Sequence, residues 1–246
     1  MIVPPERILL TGGSGRLGSE LRRLLGGIIA PDEDVLDITS PQSIEVAIKR
    51  HRPDVIVHAA AYTDVRGAET DRRQCWTVNV DGTRNMVAAA MACSAAIVHI
   101  STDYVFDGAT GGYKEDDPLG PPLNYYALTK LVAESIVRLA RRHLVIRTSF
   151  RDRQWPHPKA FTDVFTSQDY VDIIAPDIAL AIQHCREIPY DTLHIATERK
   201  SAYELASRRR SDVRPASKKD AGVLLPDDVS LDVSRWRALK RQWTTK

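Results

Sequence analysis

Cysteine is scarce in this chain, and long apolar runs are missing. Cys75, Cys93 and Cys185 are the three cysteines in 246 residues. They are odd in number, scattered and without metal-ligand spacing. That speaks against a disulfide framework or a cysteine-built metal site and suggests a reducing compartment. No stretch approaches the roughly 20 apolar residues of a membrane span. The start, Met1-Ile2-Val3-Pro4-Pro5-Glu6, has neither a basic opening nor a sufficient apolar run, so it does not read as a secretory signal. Charge of one sign is lacking too: the formal net charge is +2, little for a dedicated nucleic-acid binder. What remains is ordinary for a globular protein, 43% hydrophobic and 27% charged, in a chain able to bury a substantial core. We expect a soluble, cytoplasmic protein with no membrane, nucleic-acid or metal partner.

Arg7-Ile8-Leu9-Leu10-Thr11 is a short apolar run ending in Gly12-Gly13-Ser14-Gly15-Arg16-Leu17-Gly18. A helical pattern follows, with Leu17, Leu21, Leu24 and Leu25 on one side. Strand, glycine turn and helix form the setting of a dinucleotide-binding fingerprint. Gly12 permits the tight turn, Gly15 lets backbone approach a pyrophosphate, and Gly18 lets the helix pack closely on the strand. The helix N-terminus offers free N–H groups to phosphate. Ile28-Ile29-Ala30 reads as a thin second strand ending near Asp32. A carboxylate about 20 residues beyond the glycines accepts hydrogen bonds from the adenosine ribose in NAD-binding folds. Asp32 is either that group or a loop residue. Asp37 and Ile38 follow as residues to flank the adenine.

The alternation continues. Ser43 to Arg52 reads as a helix and Val55-Ile56-Val57-His58 as a buried strand, with the His58 ring satisfied inside it. Ala59-Ala60-Ala61-Tyr62-Thr63 comes next, small residues at a strand's carboxyl end, where open α/β sheets bind ligands. Cys75 to Met91 reads as a long helix. Within it Asn79 is either a surface amide or a clamp on nearby loop backbone. Ala96 to Ile100 is a strand running into Ser101-Thr102-Asp103-Tyr104-Val105-Phe106-Asp107-Gly108. Gly111 to Pro122 is a polar loop and a candidate lip over the site. A helix then runs from Tyr126 to about Arg142, with Leu131, Val132, Ile136 and Leu139 inward. Leu144 to Ser149 is the next strand. Four βα units in sequence predict the α/β class, a Rossmann-like doubly wound parallel sheet.

In Asn124-Tyr125-Tyr126-Ala127-Leu128-Thr129-Lys130, Tyr126 and Lys130 stand four residues apart on one helical face. A free phenol has a pKa of about 10, and a neighbouring ammonium lowers it. The pair suits a general acid for carbonyl reduction, or a base for the reverse; alone it also fits a solvated helix face. Thr102, at the end of the preceding strand, is either a hydroxyl for a substrate carbonyl or a turn residue.

Together these segments, in this order and spacing, resemble an extended short-chain dehydrogenase/reductase. Ser101-Thr102-Asp103-Tyr104-Val105-Phe106, Tyr126-x-x-Thr129-Lys130 and Arg147-Thr148-Ser149-Phe150 make the resemblance to the dTDP-4-dehydrorhamnose reductase family (RmlD-like) quite specific. The resemblance covers residues 7 to 150 well and the remainder poorly. It implies NADPH or NADH as cofactor and a nucleotide-sugar or related ketone as substrate. It implies Thr102, Tyr126 and Lys130 as the catalytic set, with Lys130 holding the Tyr126 pKa down. It also implies Gly12, Gly15, Arg16, Leu17, Gly18, Ala59, Ala60, Ala61 and Tyr62 around the cofactor, and Asp103, Tyr104 and Phe150 toward the sugar. It leaves a homodimer open. The regulatory subunit of methionine adenosyltransferase is similar in the same region, so a non-catalytic cofactor-binding scaffold is the alternative.

Residues 1–150 are thus expected to form the dinucleotide-binding domain and 151–246 a small, reduced substrate lobe, with strand 192–196 returning to the sheet. The substrate-lobe helix usual after Arg147-Thr148-Ser149-Phe150 has no counterpart, and Arg151 to Lys159 stands in its place. The family's later Arg-rich stretch, which helps hold the nucleotide diphosphate, is replaced by Leu224-Leu225-Pro226-Asp227-Asp228. From Thr197 onward 13 Lys and Arg face 7 Asp and Glu, densest at Ser207-Arg208-Arg209-Arg210. That tail is either a phosphate-binding surface or a solvated basic face.

Overall fold

The structure is a computed structural model, and it describes residues 2–221 and 225–244. Short apolar runs give fully buried strands β1 (Ile8–Thr11) and β2 (Val55–His58). Between them lie α1 (Arg16–Leu25) and α2 (Pro41–His51). Pro41 opens α2, the Ser40 hydroxyl accepts from Ser43 N, and Arg52 closes it with φ 44°. The expected second strand shrinks to one bridge, Leu9 with Ile29. Gly26 and Gly27, with φ of 38° and 82°, turn the chain just before it, and Pro31 follows two residues later.

The long helix is real but composite. After the one-turn α3 (Gly67–Thr70), α4 (Arg72–Trp76) passes through a π-helical segment (Thr77–Gly82) into α5 (Thr83–Ala92). β3 (Ala96–Thr102) follows, then α6 (Tyr125–Val137), capped by the Asn124 side chain accepting from Ala127 N at 2.8 Å. The helix ends earlier than expected, in tight turns such as Leu139 N to Ile136 O, so Leu139 points outward and is 71% exposed. Ala133 and Val137 are buried in its stead.

β4 (His143–Thr148) completes the alternation. The small lobe contributes β5 (Phe150–Arg151), β6 (Lys159–Phe161), β7 (Phe165–Thr166) and β8 (Asp169–Tyr170) before α7 (Val171–Gln183). Then come β9 (Thr192–His194), β10 (Lys200–Ser201), α8 (Ala202–Ser207), β11 (Arg214–Ala216) and α9 (Ser234–Thr244).

The central sheet runs β1-β2-β3-β4-β9, parallel throughout. Alternate residues face opposite layers. Ile8, Leu10, Val55, Val57, Val98 and Ile146 pack with α1, α7 and α9. Leu9, Ile56, Ile97 and Val145 pack with α2, α5 and the Val137 end of α6. Helices on both faces make this a doubly wound, Rossmann-like sheet. In the small lobe, paired strands β5·β8, β6·β11 and β7·β10 surround a cluster of Trp155, Ala160, Tyr170, Leu205 and Val213.

The Gly111–Pro122 loop is not a lip over the main cleft. Tyr113 bridges to Leu231 and stacks on Phe106 at 4.3 Å, which carries the loop away toward the C-terminal segment.

Candidate active site

Across the carboxyl ends of the strands lies a cavity of about 1250 Å³. An open α/β sheet binds ligands there. Its floor at one end is the glycine turn. Gly12 has φ 74°, and a Cβ on Gly18 would stand 2.0 Å from the Gly12 carbonyl oxygen. Only glycines let the helix sit this close to the turn. No side chain caps α1, whose N-cap is Gly15, so its first N–H groups are free for an anion. This cradle fits a dinucleotide pyrophosphate.

Gly12, Gly15, Arg16, Leu17, Gly18, Asp37, Ile38, Ala59, Ala60 and Ala61 all line the cavity. Asp32 does not. With the second strand cut to one bridge, the chain turns outward and Asp32 is exposed, while Pro31, Glu33 and Asp34 take the wall. Tyr62 is also outside the lining; its ring packs with Ala68, Cys75 and Tyr126. The Tyr62 backbone is fixed by Asn79, which is 2% exposed. Its Oδ1 accepts from Tyr62 N at 2.8 Å, and its Nδ2 donates to Tyr62 O and to Thr129 Oγ1. The π-helical turn thus delivers an internal clamp rather than a surface amide.

At the other end, Thr102, Asp103, Tyr104, Tyr126, Lys130 and Phe150 share the wall. The Thr102 hydroxyl donates to Asp103 Oδ1 at 3.0 Å and accepts from Tyr104 N. The rings of Tyr104 and Tyr126 meet edge to face at 6.3 Å. Burial raises the Asp103 carboxyl to about 6 against the hydrogen bonds from Thr102 and Ser149.

One expectation is reversed. Lys130 does not hold the Tyr126 phenol down. Burial pushes that phenol above its ordinary value, and the nearby Asp103 carboxylate and Tyr104 add to the shift. The Lys130 ammonium instead reaches inward, donating to Ile100 O at 2.8 Å, with His99 Nε2 at 3.3 Å. Burial lowers Lys130 to about 8.

Beneath it runs a buried polar row that sequence reasoning missed. Thr11, His58 and His99 are register partners on β1, β2 and β3. Thr11 Oγ1 lies 2.9 Å from His58 Nδ1, and the His58 and His99 rings are 5.4 Å apart. His58 Nε2 reaches Thr83 Oγ1, so its ring is satisfied, and burial drops its pKa to about 3. The Thr11 hydroxyl also accepts from Ala60 N, tying the row to the glycine end of the cleft.

The basic stretch is internally neutralised. Arg208 pairs with Asp169, Arg209 with Asp172 and Arg210 with Asp212. Asp228 takes the Arg199 guanidinium at 2.6 Å, and residues 225–228 are not in the cleft lining. Leu224 lies outside the described residues. The small lobe instead sends Arg151, Asp152, Gln154 and Gln168 to the wall, none of which the sequence pattern singled out.

Residues 6–175 match the family model described as the RmlD substrate binding domain. The chain belongs to that family. It is 35% identical over 181 residues to the dTDP-4-dehydrorhamnose reductase of Aggregatibacter actinomycetemcomitans, covering 70% of this chain and 61% of that protein. It is 40% identical over 139 residues to the Streptomyces griseus protein of the same name, 54% and 45% of the two lengths. The matched stretch therefore spans about half to three fifths of these relatives. Among solved structures, dTDP-4-dehydrorhamnose reductase from Bacillus anthracis str. Ames, in complex with NADP, superposes with TM-score 0.83 at 26% identity, covering 100% of both chains. A hypothetical dTDP-4-dehydrorhamnose reductase from Sulfolobus tokodaii gives 0.80 at 32% identity, covering 95% of this chain and 94% of that one. Among the described residues no helix is long and apolar enough to cross a membrane, and no cluster of His, Cys, Asp and Glu could hold a metal.

Proposed function

We propose that this protein is an NADPH- or NADH-dependent reductase of a 4-keto-6-deoxy sugar nucleotide, with dTDP-4-dehydrorhamnose as the substrate its relatives suggest. The observation that carries the reading is the convergence of Thr102, Tyr126 and Lys130 on the same cleft as the glycine turn. A cofactor-binding scaffold would need the turn but not the hydroxyl, phenol and ammonium opposite it.

When bound, the reduced nicotinamide supplies the hydride. Tyr126 supplies the proton. Its phenol is protonated at neutral pH, as an ordinary phenol is; burial raises its pKa further, so the drive for transfer comes from the charge that develops on the carbonyl oxygen. Thr102 turns its single hydroxyl proton, given to Asp103 Oδ1 in this structure, to the carbonyl oxygen, while the Tyr104 amide holds the hydroxyl oxygen in place. Lys130 keeps a positive charge beneath the site up to about pH 8 and is the group for the ribose hydroxyls. Ala59 to Ala61 present backbone without bulk, and the Asn79 clamp holds the loop behind them.

The test is NADPH oxidation by the full chain with dTDP-4-dehydrorhamnose, compared with Tyr126→Phe. General-acid loss should cut turnover by roughly 10²- to 10⁴-fold and leave NADPH affinity nearly unchanged. Equal turnover in the variant, or none in an intact chain that binds NADPH, would overturn the proposal.

A further inference from the structure

The small lobe places a cation in the cleft wall that, among the described residues, has no ion-pair partner. Arg151 follows Phe150 in β5, which pairs with β8 so that Arg151 stands opposite Tyr170. Its guanidinium lies over the Trp155 ring at 4.5 Å, and its Nε donates to Gln168 Oε1 at 2.6 Å. Gln168 is fixed in turn: its Nε2 donates to Ser149 Oγ at 2.9 Å and its N–H to Thr166 Oγ1. Trp155 is 6% exposed, part of the lobe's core. Stacking and hydrogen bond together set the plane of the guanidinium before any ligand arrives.

The neighbouring arginines behave differently. Arg153 pairs with Glu20, Arg208 with Asp169, Arg209 with Asp172 and Arg199 with Asp228. Among the described residues no carboxylate forms an ion pair with Arg151. Yet it is half-buried and lines the cavity. Burial lowers its pKa and the Arg16 charge adds to that, against the longer-range pull of Tyr104, Tyr170 and Asp103. Desolvating a cation is costly unless an anion answers it. The two terminal nitrogens of a fixed planar fork suit phosphate oxygens.

The glycine turn and the α1 N-terminus serve the cofactor's pyrophosphate. Arg151 is close to both ends of the cleft: its neighbour Asp152 pairs with Arg16 at the start of α1 at 2.8 Å, while Tyr104, whose ring touches Tyr126, is near enough to act on its charge. In a 4-keto sugar nucleotide the phosphate hangs on the carbon across the ring from the ketone.

We propose that Arg151 is the substrate's phosphate anchor, in the role that the family's Arg-rich stretch holds and that residues 225–228 do not fill. This rests on the reductase reading for its substrate, but the binding test is independent of turnover.

The experiment is calorimetric titration of dTDP and of inorganic pyrophosphate into the NADPH-saturated full chain, Arg151→Gln and Arg151→Lys. Charge-assisted hydrogen bonds predict that Arg151→Gln weakens dTDP by about 10- to 100-fold. Arg151→Lys should recover part of the loss, because a lone ammonium cannot offer the fork. NADPH affinity, measured separately, should stay nearly unchanged. In turnover, KM should rise far more than kcat falls. Both variants lose the stack on Trp155 and the bond to Gln168, so the melting temperature should fall slightly in each. Unchanged dTDP affinity in Arg151→Gln, or no dTDP binding by the intact chain, overturns the proposal. Loss of NADPH binding in its place also overturns it, assigning Arg151 to the cofactor. If dTDP binds through Arg151 but no ketone is reduced, the anchor stands and the reductase reading falls.

Discussion

His99 Nε2 lies 3.3 Å from the Lys130 ammonium, which can only donate, so the imidazole accepts. Its other nitrogen, Nδ1, is buried and has no hydrogen-bond partner among the described residues. Burial and the Lys130 charge both hold His99 neutral. His99 is therefore a positioning residue for the ammonium rather than a titrating one.

A shift in the alkaline limb of activity follows. Lys130, lowered to about 8, loses its charge as pH rises through that value. His99→Phe removes an acceptor that favours the charged form, so the limb should move down by on the order of one pH unit. His99→Gln retains an acceptor and should sit near the intact profile. Superimposable pH–kcat/KM curves for all three proteins would refute this coupling.

Asp103 ties stability to pH. Its folded pKa of about 6 exceeds the ordinary value of 3.8, so its contribution is present below about pH 4 and lost as pH rises through 6. At pH 7 the buried carboxylate should cost up to about 3 kcal/mol. Asp103→Asn should accordingly unfold at higher urea than the intact chain at pH 7, with the gap closing near pH 4. A gap that stays constant between the two pH values would sink the assignment.

Glu134 and Arg147 are both 1% exposed and joined at 2.9 Å, with Ser101 Oγ donating to the same carboxylate at 2.6 Å. Glu134→Ala leaves a buried guanidinium without its anion and should cost about 3–5 kcal/mol in urea unfolding. Glu134→Gln, which keeps one acceptor oxygen in place, should cost less. A loss below 1 kcal/mol in the alanine variant would show that His194 and the Glu115 carbonyl, also bonded to Arg147, suffice alone.

Gly18→Ala brings its new methyl carbon to 2.0 Å from the Gly12 carbonyl oxygen and 2.8 Å from Gly13 Cα. Both neighbours are backbone and cannot step aside as a flexible side chain would. We expect about 1–3 kcal/mol of destabilisation and a loss of NADPH binding larger than that for Gly26→Ala, whose Cβ would meet open space. Thermal melts with and without NADPH decide it; equal ligand-induced shifts in both variants would contradict the cradle.

Much of the scaffold was legible because parallel strands buried on both faces read as continuous apolar runs, as in Val55-Ile56-Val57. Ile28-Ile29-Ala30 has the same composition, but the paired positive-φ glycines before it leave one residue in register. Leu139 kept the helical spacing after the helix had ended. The Gly111–Pro122 loop was misplaced because its partner, Leu231, is remote in sequence. The candidate site followed the same rule. Motif residues at strand ends reached the cleft, Tyr62 excepted, whereas Asp32 depended on a strand that hardly forms. The Tyr126–Lys130 spacing correctly put both on one face of α6. It could not show that the longer side chain would find Ile100 O and His99 beneath the helix. Arg151 gave no local signal at all, since Trp155 and Gln168 define its setting.

The stacking of Arg151 on Trp155 has an optical consequence. Of Trp76, Trp155, Trp236 and Trp243, Trp236 is sealed against α7 and Trp243 stacks on His184. Trp155 is the indole whose ring touches a cation of the cleft wall. An anion drawn to that guanidinium, as proposed above, should alter the field across the indole and change its emission, so binding at Arg151 can be read with no label attached.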